Sequence, residues 1–262
     1  MKVLITGAAG YLGRGIYLPF VAPEVKGRYE LRLMDVAPFE NPPHECVVGS
    51  VADLETVRRA VKGCQGIVIA HMASRQAKSY ETPVVPFDAN VKGTANLFFA
   101  AVEEGIKRVA LVSSTGVVAA SGVVDPDKGP GKYDRRSPIR SKGIYGITKV
   151  CQEAIAEQYS REHGIGVGVL RIGCVMDGDT MIDKYGRQHH TRGMTLSDRR
   201  DIGEVARLCL EDPKLGYEVF YVMSTPESFK FYDIEYTCKR LNWKPKYDFM
   251  WLPEYVPGKT GR

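Results

Sequence analysis

A chain of 262 residues suits one large α/β domain, or one domain carrying a small lobe. With 44% hydrophobic and 26% charged residues it is neither a disordered nor a fibrous sequence, and no apolar run reaches the roughly 18 residues of a membrane helix. The net charge of +5 comes without a lysine or arginine block or a nucleic-acid motif, so a small anionic ligand accounts for it as well as a polyanion would.

Lys2 to Thr6 is a short β-branched apolar run, the pattern of a buried parallel strand. It leads into a turn with Gly7, Gly10 and Gly13, spaced GxxGxxG, and then into an amphipathic segment that Pro19 should kink or end. Gly7 permits the sharp turn, Gly10 a close backbone approach to a pyrophosphate, and Gly13 tight packing of helix on strand. Tyr11 and Leu12 complete this loop, and the helix N-terminus behind it offers free N–H groups to phosphate. Glu30 to Val36 is the next strand, with Asp35 at its end. A carboxylate there accepts from both ribose hydroxyls and repels an added phosphate, which selects NAD; Arg14 and Arg32 leave NADP as the alternative.

A Pro-rich loop, Pro38 to Pro43, precedes a third strand at Cys46 to Val48. Ser50 and Val51 then lead into a helix over Ala52 to Val61, whose Leu54, Val57 and Val61 share a face. Gly66 to Ala70 is a fourth strand ending at His71, and Pro86 to Glu104 a long helix carrying Asn90 in its first half. Arg108 to Ser113 is a fifth strand, Tyr145 to Glu162 a helix, and Gly166 to Ile172 a sixth strand. This β-α-β rhythm requires parallel strands and right-handed crossovers, a Rossmann-type doubly wound α/β sheet. Met176 to Arg200 is polar, with no clear period, and reads as a long loop. A helix returns at Asp201 to Leu210, with Asp201 as its cap, followed by a strand at Glu218 to Val222 and a helix at Tyr232 to Leu241. Residues 1–173 are therefore assigned to the dinucleotide-binding domain, and 174–262 to a small substrate lobe and C-terminal elements packed on it.

The six cysteines are scattered without a CxxC pair, and Cys64, Cys151 and Cys209 fall among helical segments as small core residues. His189 and His190 are adjacent in the polar loop with no third ligand in sight, so no metal is expected. Asp198 and Asp201 are explained by loop charge and helix capping. With no secretory signal at the N-terminus, the expected location is cytoplasmic.

Tyr145 and Lys149 form YGITK at a helix start, one turn apart on one face. A free phenol has a pKa of about 10, and a neighbouring ammonium favours its ionised form. Such a phenol can take a proton from an alcohol while hydride leaves the same carbon, and Lys149 can also bond the nicotinamide ribose. Ser113, Ser114 and Thr115 end the fifth strand, where ligands of open α/β sheets sit, and any of the three hydroxyls could hold the substrate oxygen.

Taken together, these motifs resemble the extended short-chain dehydrogenase/reductases of the NAD-dependent epimerase/dehydratase family. TGAAGYLG is similar to the family's TGxxGxxG, MDV to its acidic strand end, HMAS to its HxAA-like turn, NVKGT to NVxGT, SSTGVV to its serine strand end, and YGITK to YxxxK. LRIG at Leu170 to Gly173 and the tail LNWKP also match. The resemblance implies a homodimer formed through the Asn90 and Tyr145 helices. It implies Ser114 as the catalytic hydroxyl, Tyr145 and Lys149 as its partners, and Asn90 as holder of a proton-relay water. It also implies His71, Ala73 and Ser74 on the nicotinamide side. In size and layout the chain is similar to uronate dehydrogenases, which oxidise a free hexuronic acid at its anomeric carbon. That likeness makes Arg171 the residue that grips the sugar carboxylate and puts Thr115 beside the substrate. Four positions depart from the pattern: Ser50 replaces an aspartate near the adenine, Val118 replaces the tyrosine of VYG, and Thr115 and Gly116 replace an Asn-His pair. An epimerase that recycles its NAD is the alternative reading. Dehydration is disfavoured because Thr115 and Gly116 stand where dehydratases place Asp-Glu, and a non-catalytic dinucleotide sensor would not need Ser114, Tyr145 and Lys149.

Overall fold

The computed structural model describes residues 1–40, 42, 44–74, 78–121 and 131–254. Two positions of the Pro38 to Pro43 loop, Asn41 and Pro43, lie outside the described residues. Seven parallel strands form the main sheet: β1 (Lys2–Thr6), β2 (Glu30–Asp35), β3 (Glu45–Val48), β4 (Gly66–Ile69), β5 (Arg108–Ser114), β6 (Gly166–Ile172) and β10 (Tyr217–Val222). Their order is β10-β6-β5-β4-β1-β2-β3, so the direction of winding reverses between β1 and β4. That switch point opens a crevice at the carboxyl ends of the two strands, where Gly7 and His71 follow.

The strand residues are apolar on both faces because both faces are covered. Val3 and Ile5 of β1 enter one core with α1 (Gly13–Ile16), α2 (Leu18–Val21), α7 (Arg199–Glu211) and α8 (Ile234–Leu241). Leu4 points the other way, into a core with α3 (Leu54–Val61), α5 (Gly93–Glu103) and α6 (Gly143–His163). Burying each such side chain contributes roughly 1.5–3 kcal/mol, and a one-residue slip would exchange the two faces.

Several elements differ from their sequence-based expectation. The first helix is two four-residue turns that meet at Tyr17, because Pro19 in the first turn of α2 has no N–H to give. The long helix begins at Val84 as α4 (Val84–Pro86), passes through a π-helical turn at Phe87–Lys92, and becomes α5. The stretch Met176 to Arg200 is not one open loop. It holds β8 (Ile182–Asp183) and β9 (Leu196–Asp198), which flank β7 (Cys174–Asp177) in a small second sheet ordered β8-β7-β9. Met176, Met181, Leu196, Phe249 and Leu252 form the core of that sheet.

Helix α7 is capped by Asp198, whose carboxylate accepts from the Arg200 N–H at 2.7 Å, and not by Asp201. Asp201 is buried inside the first turn and accepts from Ser224 Oγ at 2.8 Å and Lys246 N at 3.0 Å. Burial pushes its carboxyl up to about 6. Cys64 and Cys209 are core residues, whereas Cys151 is only half-buried. β10 and α7 belong to the main sheet and its cover, so the chain beyond Gly173 contributes to both sheets. No helix among the described residues is long and apolar enough to cross a membrane.

Candidate active site

The glycine loop is closed as tightly as a backbone allows. Gly7 has φ +69°, and a Cβ there would lie 2.7 Å from His71 Cα. A Cβ on Gly13 would meet the Gly7 carbonyl at 2.2 Å, so α1 packs directly on the turn. Gly10 donates its N–H to the same carbonyl at 3.2 Å. This side-chain-free cradle at the switch point fits a dinucleotide pyrophosphate. Tyr11 leaves the loop, and its hydroxyl donates to the Ile182 carbonyl of β8, tying the cradle to the small sheet. The Arg199 guanidinium lies over the Tyr11 ring, 4.7 Å from its centre, and Leu12 heads α1.

Asp35 closes β2 beside this loop. One carboxylate oxygen accepts from Ala9 N and the other from Ala37 N, each at 3.0 Å. Arg32 is directed elsewhere: it is buried against the end of α3, bonded to the Ala60 and Lys62 carbonyls and paired with Glu45. Arg14 donates to the Ala9 carbonyl. Ser50 is exposed, and its hydroxyl accepts from Ala52 N; Val51 beside it is buried.

His71 is buried and neutral. Burial, with the nearby Lys149 charge, lowers its pKa to about 3. Nε2 lies 3.0 Å from the Ala89 carbonyl, which can only accept, so Nε2 carries the proton. Nδ1 then accepts from the Thr6 hydroxyl at 2.9 Å. The ring thus fastens β1 and β4 to the π-helical turn, while its backbone forms the wall of the glycine cradle. That π turn carries Asn90, which is fully buried. Asn90 Oδ1 accepts from Ala73 N at 2.7 Å, and Nδ2 donates to Thr148 Oγ1 at 2.9 Å and to Tyr80 Oη at 3.3 Å. The expected water-holding amide is therefore also a brace between the HMAS turn and α6. Ser74 is exposed, and its carbonyl accepts from the Ser79 hydroxyl.

β5 and α6 bring the candidate catalytic residues Ser114, Tyr145 and Lys149 together. Ser113 and Ser114 point to opposite faces: Ser113 is buried and donates to Glu153, whereas Ser114 is half-buried at the strand end. A Cβ on Gly116 would lie 3.2 Å from Ser114 Oγ and 3.9 Å from Tyr145 Cε1, so hydroxyl and phenol ring border one small space. Tyr80 packs edge-on against the Tyr145 ring, with centroids 5.8 Å apart. Thr115 opens the short 3-10 turn that follows Ser114. Lys149 is buried and donates to the Val112 carbonyl at 2.8 Å. Burial and the charge of Lys184 lower its pKa to about 7, against the opposing pull of Glu153.

Two expectations are corrected. Arg171 does not face a substrate. In register it pairs with Ser113, which turns it toward α6, where it is fully buried in a two-pronged pair with Glu153 at 2.8 and 3.1 Å. Its remaining reach goes to Tyr221 Oη at 3.2 Å. His189 does have further ligand-type neighbours: Cys174 and Asp183 stand beside it, while His190 is exposed. Glu153 and Thr148 were not singled out from sequence. Glu153 follows Lys149 by four residues and so shares its helix face, a signal available in YGITKVCQE.

The chain is similar to several characterised proteins. It is 28% identical to the NAD-dependent glucose-6-phosphate dehydrogenase of Haloferax volcanii, covering 93% of this chain and 92% of that one. It is 29% identical to the uronate dehydrogenase of Pseudomonas syringae, covering 94% and 82%. A uronate dehydrogenase from Agrobacterium tumefaciens, solved as a mutant complexed with NAD, superposes with a TM-score of 0.74 at 25% identity, covering 98% and 92%. Residues 3–176 match the NAD dependent epimerase/dehydratase family. The matched span runs from β1 and the glycine cradle through Ser114, Tyr145 and Lys149 into β7, so the chain belongs to that family and is an NAD-dependent enzyme of the extended short-chain dehydrogenase/reductase type.

Proposed function

We propose that the protein oxidises a hydroxyl of a sugar or sugar acid, with NAD as the electron acceptor. The observation that carries this reading is the shared space between Ser114 Oγ and the Tyr145 ring, with the buried Lys149 one turn further along α6. Gly7, Gly10 and Gly13 hold the pyrophosphate, Asp35 the adenosine ribose, and the backbone at His71 and Ala73 the nicotinamide side. Ser114 donates to the substrate oxygen and fixes its carbon. Tyr145 removes the hydroxyl proton. Lys149, as ammonium, stabilises the phenolate electrostatically and bonds the nicotinamide ribose. NAD, when bound, supplies the hydride acceptor. Asn90, braced by Ala73 and Thr148, keeps the floor of the pocket in register with α6. The small sheet β8-β7-β9 beyond Gly173 forms the substrate side and sets specificity, while the other elements of 174–262, β10 and α7 among them, pack on the dinucleotide-binding domain.

The relatives named for glucose 6-phosphate and for uronate define the experiment. The protein is offered a free uronate, a neutral aldose and glucose 6-phosphate, and NADH absorbance is followed. Net NADH formation with at least one is expected. A sugar converted without net NADH would instead make the enzyme an epimerase, and tight NAD binding without turnover on any sugar would support a sensor.

A homodimer is the second part of the proposal. Val84, Val85, Phe87, Phe99 and Ile147 are exposed along α4, the π turn, α5 and α6, an apolar strip on the two helices that the family resemblance assigns to dimerisation. Light scattering at micromolar concentration should give twice the chain mass; a monomer would overturn it. The six free thiols support a reducing, cytoplasmic setting.

A further inference from the structure

We propose that Cys174, Asp183 and His189 form a binding site for a zinc-class divalent cation at the rim of the substrate pocket. Their donor atoms all lie within 4.8 Å of one another. A tetrahedral zinc ion with bonds of about 2.0–2.3 Å holds its donors roughly 3.5 Å apart, so the side chains need to close by about an ångström. Thiolate, imidazole and carboxylate together suit a borderline-soft metal better than calcium or magnesium.

The three residues sit on adjacent segments of one meander, β7, β8 and the return over 187–189, whose backbone bonds hold them in place. Cys174 opens β7, and its N–H is bonded to the Thr195 carbonyl at 2.6 Å. Asp183 pairs with Met176 across β7 and β8. His189 returns beside them, its N–H bonded to the Met181 carbonyl at 2.8 Å. The buried Asp183 carboxylate is already aimed: Oδ1 accepts from Tyr185 N at 2.8 Å and Arg187 N at 3.0 Å, while Oδ2 faces His189 Nε2 at 3.0 Å. Such outer contacts orient metal ligands.

Arg187 competes for the site, with its Nη2 2.7 Å from Asp183 Oδ2. Its side chain is 63% exposed, so it can withdraw into solvent at little cost, and the ion takes its place as counter-charge. Binding converts the Cys174 thiol to a thiolate and releases its proton to solvent. Three protein ligands leave a fourth position open. Cys174 directly follows Gly173 just past the carboxyl end of β6, which pairs with β5 and its terminal Ser114, so the three ligands stand at the same end of the sheet as Ser114.

The test is titration of the full chain with cobalt(II), read as the thiolate-to-cobalt charge-transfer band and independent of any activity. A band with one-to-one stoichiometry is expected. It should vanish in Cys174→Ser, and the affinity should weaken in His189→Ala and Asp183→Asn by at least the roughly 100-fold that an outer-shell partner alone can cost. Arg187→Ala should bind more tightly. Absence of the band, or a band that survives Cys174→Ser, overturns the site, as does indifference to His189 and Asp183. Should Cys174→Ser fail to fold, zinc protection of Cys174 in the unaltered protein from alkylation, read by peptide mass, decides the same question: protection is expected, and unprotected alkylation refutes it.

Discussion

Tyr145→Phe is expected to lower kcat by about 10²- to 10⁴-fold, the usual worth of a positioned general base, while NAD affinity stays unchanged. The substitution removes one oxygen and little else. The ring keeps its edge-on contact with Tyr80 and its place beside Gly116, so Ser114, Lys149 and the glycine cradle are undisturbed. What is lost is the acceptor for the substrate's proton. Initial rates of NADH formation, with NAD binding followed by tryptophan or cofactor fluorescence, check both halves. A variant that retains most of its turnover would remove Tyr145 from the reaction. A variant that loses NAD affinity in parallel would mean that the phenol holds the cofactor and does not act on the proton.

Much of this arrangement is legible in the sequence, and for physical reasons. Strands buried on both faces are continuous apolar runs, so Lys2–Thr6 and Gly66–Ile69 announce themselves. The turn after β1 needs glycine where a Cβ would collide with His71, which makes Gly7 a signal and not a coincidence. Helical spacing alone places Tyr145 and Lys149 on one face. Other features leave no local trace. The strands β8 and β9 are two and three residues long and held by ion pairs and backbone contacts, so Met176 to Arg200 shows no period. Asp198 and Asp201 both stand before the same apolar pattern, and only the fold decides which one caps the helix. The π turn around Asn90 packs against α6, and the spacing of its residues does not distinguish it from an ordinary helical turn. Arg171 shows the same limit. A strand's alternation says that Arg171 and Ile172 face opposite ways, but not which of them meets α6.

That placement of Arg171 gives Glu153→Gln the second large expected effect. Glu153 and Arg171 are each about 2% exposed, and their side chains form a buried ion pair extended by Ser113 and Tyr221. Removing one partner of such a pair leaves a buried charge uncompensated, at a cost of roughly 3–5 kcal/mol. At about 2–4 °C per kcal/mol for a chain of this size, Tm should fall by about 6–20 °C. Adding Arg171→Met should restore part of the loss, because a well-packed apolar pair of similar volume is often no less stable than the ions it replaces. The same substitution should also reach the chemistry. Glu153 raises the pKa of Lys149, which burial and Lys184 have already brought down to about 7. Without that carboxylate the ammonium gives up its proton at lower pH. If the ammonium is what stabilises the phenolate, the falling limb of the kcat/KM profile moves to lower pH in Glu153→Gln and returns in Glu153→Asp. A lower Tm with an unmoved pH profile would make Glu153 a structural residue alone, with no hold on Lys149.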